Sequence, residues 1–282
     1  MVKIVETPRD GFQGLSYLID TKKKIEYINL LLQCGFHTVE VGSFVSPKVI
    51  PQMADTARVI EGLNLTNTNS KIAVLVATES GCNMAMQFDQ VDQLFFPFSI
   101  SPTFLRKNIN SSLQEAETTI NKIQDQCIKY NKELVVYFSM GFDSAYGDNW
   151  SLELLLKWLS KFTKMGINIF PFSDILGEAT PEMISNVFSN LLPEFPDSEF
   201  GFHLHSTAGN RLQKIDAAYK AGVRRFDTVL NGLGGCPQTG KELVGNLPLG
   251  ELINYLENDN ISTGISNTSI IQAEEILLDI MQ

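Results

Sequence analysis

Eight short apolar runs recur along the chain and are separated by longer segments. Each run has six to eight residues and is rich in Val, Ile and Phe, a composition typical of strands buried on both faces. The runs are VKIVET (2–7), TVEVGSF (38–44), KIAVLVA (71–77), QLFFPFS (93–99), ELVVYFSM (133–140), NIFPFSD (168–174), EFGFHLHS (199–206) and RFDTVLN (225–231).

The segments between these runs have the periodicity of amphipathic helices. Residues 21–35 place apolar side chains at i, i+3, i+4 and i+7 and end at a glycine. Residues 112–131 and 151–166 each begin with a serine suited to a helix N-cap, and residues 180–195 carry proline in the first turn. Further helical segments are predicted at 210–223 and 241–258.

Strands that alternate with helices predict a parallel sheet with right-handed crossovers. Eight such units in about 260 residues match a closed (β/α)8 TIM barrel of the α/β class. The rival is an open doubly wound sheet, but no GxGxxG follows the first strand. The sequence shows no linker or low-complexity tract, so we expect a single catalytic domain over residues 1–282.

The chain is acidic, with a net charge of −10 and a pI of about 4.8. General binding to nucleic acid or to an anionic membrane is therefore not expected, although a local basic site for an anionic substrate is compatible with this charge. The four cysteines are scattered without a CxxC pair, which favours free thiols in a reducing compartment. With no signal peptide or long apolar run in the sequence, we expect a cytoplasmic location.

Polar residues cluster at the predicted carboxyl ends of the strands, where TIM barrels carry their chemistry. The chain has three histidines, and two of them, His203 and His205, lie in one strand with their side chains on the same face. The carboxylates Asp10, Glu40 and Asp174 lie at other strands. Burying so many ionisable groups costs several kcal/mol unless they are paired or bind a metal. A functional cluster is therefore favoured over core histidines.

Two other candidate residues can also be explained without a catalytic role. Arg9 next to Asp10 is explained as well by an ion pair as by catalysis. Cys236 lies between glycine and proline, where a lone cysteine is usually an inert small residue.

Several segments resemble, in order, the hydroxymethylglutaryl-CoA lyase family of metal-dependent barrel enzymes. They are ETPRDGFQG (6–14), TVEVGSFVSPKVIPQMAD (38–55), RKNINSS (106–112), SDILGEATP (173–181), HLH (203–205), and GLGGCP (232–237) followed by Gly245-Asn246. RDG and HxH are also found in related condensing enzymes, whereas FVSPKVIPQMAD and GLGGCP are more specific. The resemblance covers essentially the whole chain.

The resemblance implies cleavage of 3-hydroxy-3-methylglutaryl-CoA to acetyl-CoA and acetoacetate with Mg²⁺ or Mn²⁺, an oxygen–nitrogen site typical of these cations. Arg9 matches the arginine that stabilises the enolate, Glu40 a supporting acid, Asp174 an active-site aspartate and Cys236 the catalytic cysteine. The matching metal ligands are Asp10, His205 and Asn246, with His203 as a metal-proximal or catalytic histidine.

The sequence departs from the family at Ser206, where aspartate is usual, and at Gln238, where an aromatic residue or methionine is common. These departures put the substrate preference in doubt, so another 3-hydroxyacyl-CoA substrate and the reverse condensation are alternatives. A non-catalytic scaffold is a third alternative, and retention of the candidate site residues together argues against it. Arg106 and Lys107 are candidate contacts for the CoA phosphates, although a solvated surface pair explains them equally well. The resemblance also implies a homodimer.

Overall fold

The centre of the molecule is a closed barrel of eight parallel strands, in a computed structural model that describes residues 1–143, 146–235 and 244–282. Each strand pairs with its neighbour in sequence, and β8 pairs with β1 to close the ring. The strands are β1 (Lys3–Glu6), β2 (Thr38–Ser43), β3 (Lys71–Leu75), β4 (Gln93–Ser99), β5 (Glu133–Ser139), β6 (Ile169–Asp174), β7 (Glu199–Leu204) and β8 (Arg225–Thr228). The predicted TIM barrel is confirmed.

Helices surround the barrel in the described part of the chain. They are α1 (Pro8–Phe12), α2 (Thr21–Leu31), α3 (Thr56–Glu61), α4 (Glu79–Ala85), α5 (Pro102–Ile109), α6 (Leu113–Lys129), α7 (Leu152–Lys164), α8 (Pro181–Glu194), α9 (Arg211–Lys220), α10 (Leu249–Asn258) and α11 (Asn267–Met281). The predicted caps are present: Ser151 Oγ accepts from the Leu154 N–H at 3.1 Å, and Ser112 forms a capping box with Glu115.

Several predicted elements are shorter in the structure, and in two of them other pairings of the chain replace the missing part. The run 225–231 is a strand only as far as Thr228, and the Val229 N–H then donates to the Leu247 carbonyl oxygen at 3.0 Å. The predicted helix at 241–258 begins only at Leu249, because Asn246 forms a β-bridge with His205 and Pro248 takes the N-cap position. Residues 241–243 lie outside the described residues.

Apolar side chains fill the layer between barrel and helices and form a cluster inside the barrel. Val5, Ala73, Phe95, Val135 and Tyr137 form the buried cluster inside the barrel. A larger cluster of buried residues joins the outward faces of the strands to the helices. Because the barrel interior is packed, the polar side chains at the carboxyl ends of the strands form the floor of an open cavity there.

Three cysteines, Cys34, Cys82 and Cys127, are buried free thiols. Burial raises their pKa values to about 12, 11 and 12 respectively, so these thiols are poor nucleophiles. Among the described residues, no helix has the length and apolar character needed to cross a lipid bilayer.

Candidate active site

His203 and His205 project into the barrel mouth from β7 and the residue after it, as strand alternation predicts. Their Nε2 atoms are 3.2 Å apart. The Nδ1 atom of His203 is 3.2 Å from Asp227 Oδ2, and that of His205 is 3.0 Å from the Val244 carbonyl oxygen. Carbonyl and carboxylate oxygens only accept hydrogen bonds, so each Nδ1 carries a proton, and when both imidazoles are neutral the two Nε2 lone pairs face each other.

Asp10 and Asn246 complete this cluster from two other elements. Asp10 lies in α1, the short helix that begins at Pro8 directly after β1. The Asn246 Nδ2 donates to Asp10 Oδ2 and to the Leu233 carbonyl oxygen, both at 2.8 Å. Gly234 makes this approach possible, because its φ is +91° and a Cβ there would lie 2.9 Å from the Asn246 Nδ2 and from the Asp10 carbonyl oxygen.

This donor set fits a divalent cation. Asp10, His203 and His205 each present a ligand atom, and these atoms lie within 4.8 Å of one another. Asn246 Oδ1 is buried and has no hydrogen-bond partner among the described residues. Two opposed imidazole lone pairs and an unpaired buried amide oxygen are costly unless a cation binds them. Oxygen and imidazole ligands suit Mg²⁺ or Mn²⁺.

Two members of the cluster, His205 and Asp10, have protonation states that favour cation binding. Burial and the neighbouring His203 lower the pKa of His205 to about 4, so its imidazole is neutral. Burial alone would raise the pKa of Asp10, but Arg9 and the two histidines lower it below its ordinary value. Neutral imidazole and ionised carboxylate are the forms that bind metals.

Arg9 and Glu40 form a buried ion pair beside this cluster. The Arg9 guanidinium lies 2.7 Å from Glu40 Oε1 and 3.1 Å from Asp10 Oδ1, and it donates to Gln13 Oε1 at 2.9 Å. Burial raises the pKa of Glu40 to about 7 in spite of Arg9. Glu40 and Asp10 together raise the pKa of Arg9 although burial opposes this, so the guanidinium stays charged.

A cavity of about 420 Å³ opens directly above these groups. Arg9, Asp10, Glu40, His203 and His205 all line it. Its remaining wall is largely apolar and includes Val45, Val49, Ile50, Leu75, Pro97, Phe104, Tyr137 and Ile175. The cavity therefore combines a charged, metal-binding floor with walls suited to an aliphatic substrate.

The HMGL-like family matches residues 1–277. The mitochondrial hydroxymethylglutaryl-CoA lyase of Homo sapiens is 31% identical over 273 residues, which are 96% of this chain and 83% of that protein. The chain belongs to the HMGL-like family. The solved Bacillus subtilis HMG-CoA lyase superposes with a TM-score of 0.92 at 29% identity, covering 100% of this chain and 94% of that one. An HMG-CoA lyase of Acinetobacter baumannii, solved with coenzyme A and 3-methylmalate, gives 0.91 at 29% identity, with 100% and 91% covered.

In this HMGL-like barrel, Asp174 does not lie in the cavity. Ser173 lines the cavity, and the next side chain, Asp174, faces the opposite way into the layer of helices. There it contacts Lys214 Nζ at 2.7 Å and accepts the backbone N–H groups of Glu178 and Ala179. Burial raises the pKa of Asp174 even so. The structure thus gives Asp174 a role in holding the loop after β6.

Arg106 and Lys107, the two candidate CoA contacts, point in different directions from α5. Lys107 lines the cavity, with its Nζ 4.6 Å from the centre of the Tyr146 ring. Arg106 points away, donates to the Asn110 carbonyl oxygen at 3.2 Å and lies 3.9 Å from Glu115.

The position that departs from the family pattern, Ser206, is buried and paired. Its Oγ accepts from Arg211 Nε at 3.1 Å, and Arg211 also reaches Glu251 at 3.3 Å. The basic side chain of Arg211 therefore lies next to Ser206. Cys236 and Gln238 lie outside the described residues.

Three residues of the HMGL-like site escaped the sequence interpretation: Gln13, Tyr137 and Asp227. Gln13 donates to Asp10 Oδ1 at 2.9 Å, and Tyr137 donates to Asp227 Oδ2 at 2.7 Å. The signal for Asp227 was its place in β8, two residues after Arg225 on the inward face of an apolar run.

Proposed function

We propose that this chain cleaves 3-hydroxy-3-methylglutaryl-CoA to acetyl-CoA and acetoacetate. The observation that carries the proposal is the buried set of Asp10, His203, His205 and Asn246 beside Arg9, at the open end of an HMGL-like barrel. The names of the relatives and the coenzyme A bound in one of them support the same substrate class. Asp10, His205 and Asn246 are the proposed ligands of Mg²⁺ or Mn²⁺, and His203 lies next to them.

The reaction breaks the C2–C3 bond of the substrate. Nε2 of His203 accepts the proton of the C3 hydroxyl, C3 becomes the ketone carbon of acetoacetate, and the bonding electrons pass to C2 as an enolate. A divalent cation bound in this site supplies Lewis-acid polarisation of the substrate oxygens. Arg9 places a fixed positive charge near the enolate oxygen, and Glu40 holds the guanidinium in place.

Cys236 is the proposed proton donor to C2 of the enolate. This role comes from the family pattern, because the residue lies outside the described part of the chain. In sequence it follows Gly234 by two residues, and Gly234 lies so near the Asp10 carbonyl oxygen and the Asn246 Nδ2 that a Cβ there would be 2.9 Å from each.

The decisive experiment measures acetoacetate after the purified protein is incubated with 3-hydroxy-3-methylglutaryl-CoA and Mg²⁺ or Mn²⁺. We expect product with either cation and none after chelation. A folded, metal-loaded protein that releases no acetoacetate contradicts the proposal. Cleavage of a different 3-hydroxyacyl-CoA in a parallel assay would favour the alternative substrate.

The cytoplasmic location and the homodimer are also proposals. The relatives include proteins named as cytoplasmic and as mitochondrial lyases. The three buried free thiols among the described residues support a reducing compartment. Light scattering during size-exclusion chromatography tests the dimer, which a monomer mass would contradict.

A further inference from the structure

A column of charged side chains runs up the inside of the barrel along β7 and β8. In the parallel pairing of these strands, Gly201 lies opposite Arg225 and His203 lies opposite Asp227. Arg225 is completely buried, and its Nη1 donates to Glu199 Oε1 at 3.0 Å, at the far end of the column. Gly201 leaves the space for this side chain, because a Cβ there would lie 3.0 Å from the Arg225 Cδ.

Asp227 joins this column to the candidate active site. Its side chain is fully buried, and one oxygen, Oδ2, accepts from the Tyr137 hydroxyl at 2.7 Å and lies 3.2 Å from His203 Nδ1. The Tyr137 and His203 rings meet edge to face, with their centres 5.9 Å apart. The carboxylate is therefore held by tyrosine on one side and presented to the imidazole on the other.

The consequence for His203 follows from hydrogen-bond chemistry. A carboxylate only accepts, so contact with Asp227 places the proton of the neutral imidazole on Nδ1 and leaves a lone pair on Nε2. That Nε2 is the nitrogen that faces His205 and lies 3.9 Å from Asp10 Oδ2. In the opposite tautomer Nε2 would carry the proton. It could then neither bind a metal nor accept the proton of a substrate hydroxyl.

We propose that Asp227, oriented by Tyr137 and with Arg225 as its buried counterion, is a positioning residue that fixes the Nδ1–H tautomer of His203. Its importance for turnover rests on the proposed function, because there Nε2 of His203 accepts a proton. The tautomer itself does not depend on the substrate or on a metal.

The structure supplies a matched control for a purely structural role. Glu199 is the carboxylate that Arg225 contacts, but it lies at the opposite end of the barrel from His203. Both Asp227→Asn and Glu199→Gln remove one negative charge near Arg225. Only Asp227→Asn changes the partner of the histidine.

Nuclear magnetic resonance on metal-free, ¹⁵N-histidine-labelled protein tests the tautomer directly, at a pH where the imidazoles are neutral. With three histidines in the chain, the spectrum is simple to assign. We expect the Nδ1–H form of His203 in the wild type and in Glu199→Gln. In Asp227→Asn we expect the Nε2–H form to appear, because an amide can donate to Nδ1.

Turnover gives the second measurement. Asp227→Asn should lower kcat for 3-hydroxy-3-methylglutaryl-CoA by about 10–100-fold with little change in KM. Glu199→Gln should lower the thermal midpoint while kcat is kept.

If Asp227→Asn does not fold, Tyr137→Phe replaces it, and we expect a mixture of the two tautomers. The proposal is overturned if wild-type His203 has the Nε2–H form, or if the substituted protein keeps the Nδ1–H form. Absence of lyase activity in every protein contradicts only the proposed function, because the spectra are recorded without substrate.

Discussion

At the scale of single residues, neighbours in sequence have different surroundings that decide their roles. Lys107 and Arg106 are adjacent in α5, yet only Lys107 lines the cavity, while Arg106 contacts the Asn110 carbonyl oxygen and Glu115. A cation at the cavity wall can bind a phosphate of CoA, and one that points away cannot. The pair therefore provides a test with its own control.

We predict that Lys107→Gln raises KM for the acyl-CoA substrate about tenfold, because one charge-assisted hydrogen bond is lost. kcat should change little, since Lys107 does not contact the proposed reacting groups. Arg106→Gln should leave both constants unchanged. Steady-state kinetics of the two proteins checks this, and equal KM values would assign the phosphate contact elsewhere.

Glu6 is a buried carboxyl group whose protonation should make stability depend on pH. Its oxygens accept from the Thr228 hydroxyl and the Leu230 N–H, both at 2.7 Å, but burial raises its pKa from 4.5 to about 8. Between these pH values the folded state holds a proton that the unfolded state has lost. Stability contributed by this group is therefore complete below pH 4.5 and is lost as the pH rises towards 8.

We predict that Glu6→Gln removes this dependence, because its amide oxygen can accept from Leu230 and its amide N–H can donate to Thr228. Urea unfolding at several pH values should show the stability of the wild type falling relative to the variant. The expected slope is roughly 1.4 kcal/mol per pH unit within that window. Parallel stability curves for the two proteins would show that Glu6 is ionised in the fold.

Strand alternation predicted the facing of side chains well where the strand ends were clear. It correctly placed His203 and His205 on one face, with both lining the cavity. Strand alternation also explains why the Asp174 side chain lies outside the cavity, although the resemblance implied an active-site aspartate. Ser173 is the inward residue at the end of β6. Asp227 was missed because its partners, Tyr137 and His203, come from distant strands that only barrel closure brings together.

At the scale of elements, sequence periodicity revealed neither the short helices nor the long helix α11. α1 and α3 have five and six residues, fewer than two turns, so an amphipathic pattern cannot develop. α1 is nevertheless the element that carries Arg9 and Asp10, and α5 carries Lys107. The longer helix α11 was missed for another reason: eight repeating units leave no place for an additional helix.

A buried ion pair, Asp174–Lys214, connects β6 to α9. Lys214 Nζ also donates to the Gly177 carbonyl oxygen at 2.7 Å, and the His205 N–H donates to the Asp174 carbonyl oxygen at 3.2 Å. The pair thus connects the loop after β6 to the backbone of a proposed metal ligand. We predict that Lys214→Met lowers the free energy of unfolding by about 3–5 kcal/mol, because it leaves a buried carboxylate without its partner.

Denaturant unfolding measures this loss, and the helix α9 provides the control. Lys220 forms an exposed i, i+4 pair with Asp216 on the same helix. Lys220→Met should therefore change stability by no more than about 0.5 kcal/mol. Adding Asp174→Asn to Lys214→Met should recover part of the stability. Similar losses for the two lysine substitutions would contradict the importance of the buried pair.

At the scale of the whole molecule, α11 completes the outer layer of helices next to α2. It packs against α2, where Lys23 pairs with Asp279 at 2.6 Å, and the Tyr17 hydroxyl donates to the Ile280 carbonyl oxygen at 2.9 Å. Ala273, Leu277 and Ile280 are its buried residues, at the spacing of one helix face. The helix α11 is thereby joined to α2 and to the segment that precedes it.

If residues 1–282 form the single domain that we propose, a destabilising substitution in α11 should also lower the stability of the far side of the barrel. The two tryptophans, Trp150 and Trp158, lie before and within α7, between β5 and β6, whereas α11 lies beside α2, between β1 and β2. We predict that Leu277→Ala, at a fully buried site, lowers the free energy of unfolding by about 2–5 kcal/mol. Tryptophan fluorescence and far-ultraviolet circular dichroism should then shift to the same lower urea midpoint.

Leu278→Ala, at the exposed neighbouring position, should leave both midpoints in place. A fluorescence midpoint that stays at the wild-type value in Leu277→Ala while the dichroism signal shifts would mean that α11 unfolds separately from the barrel.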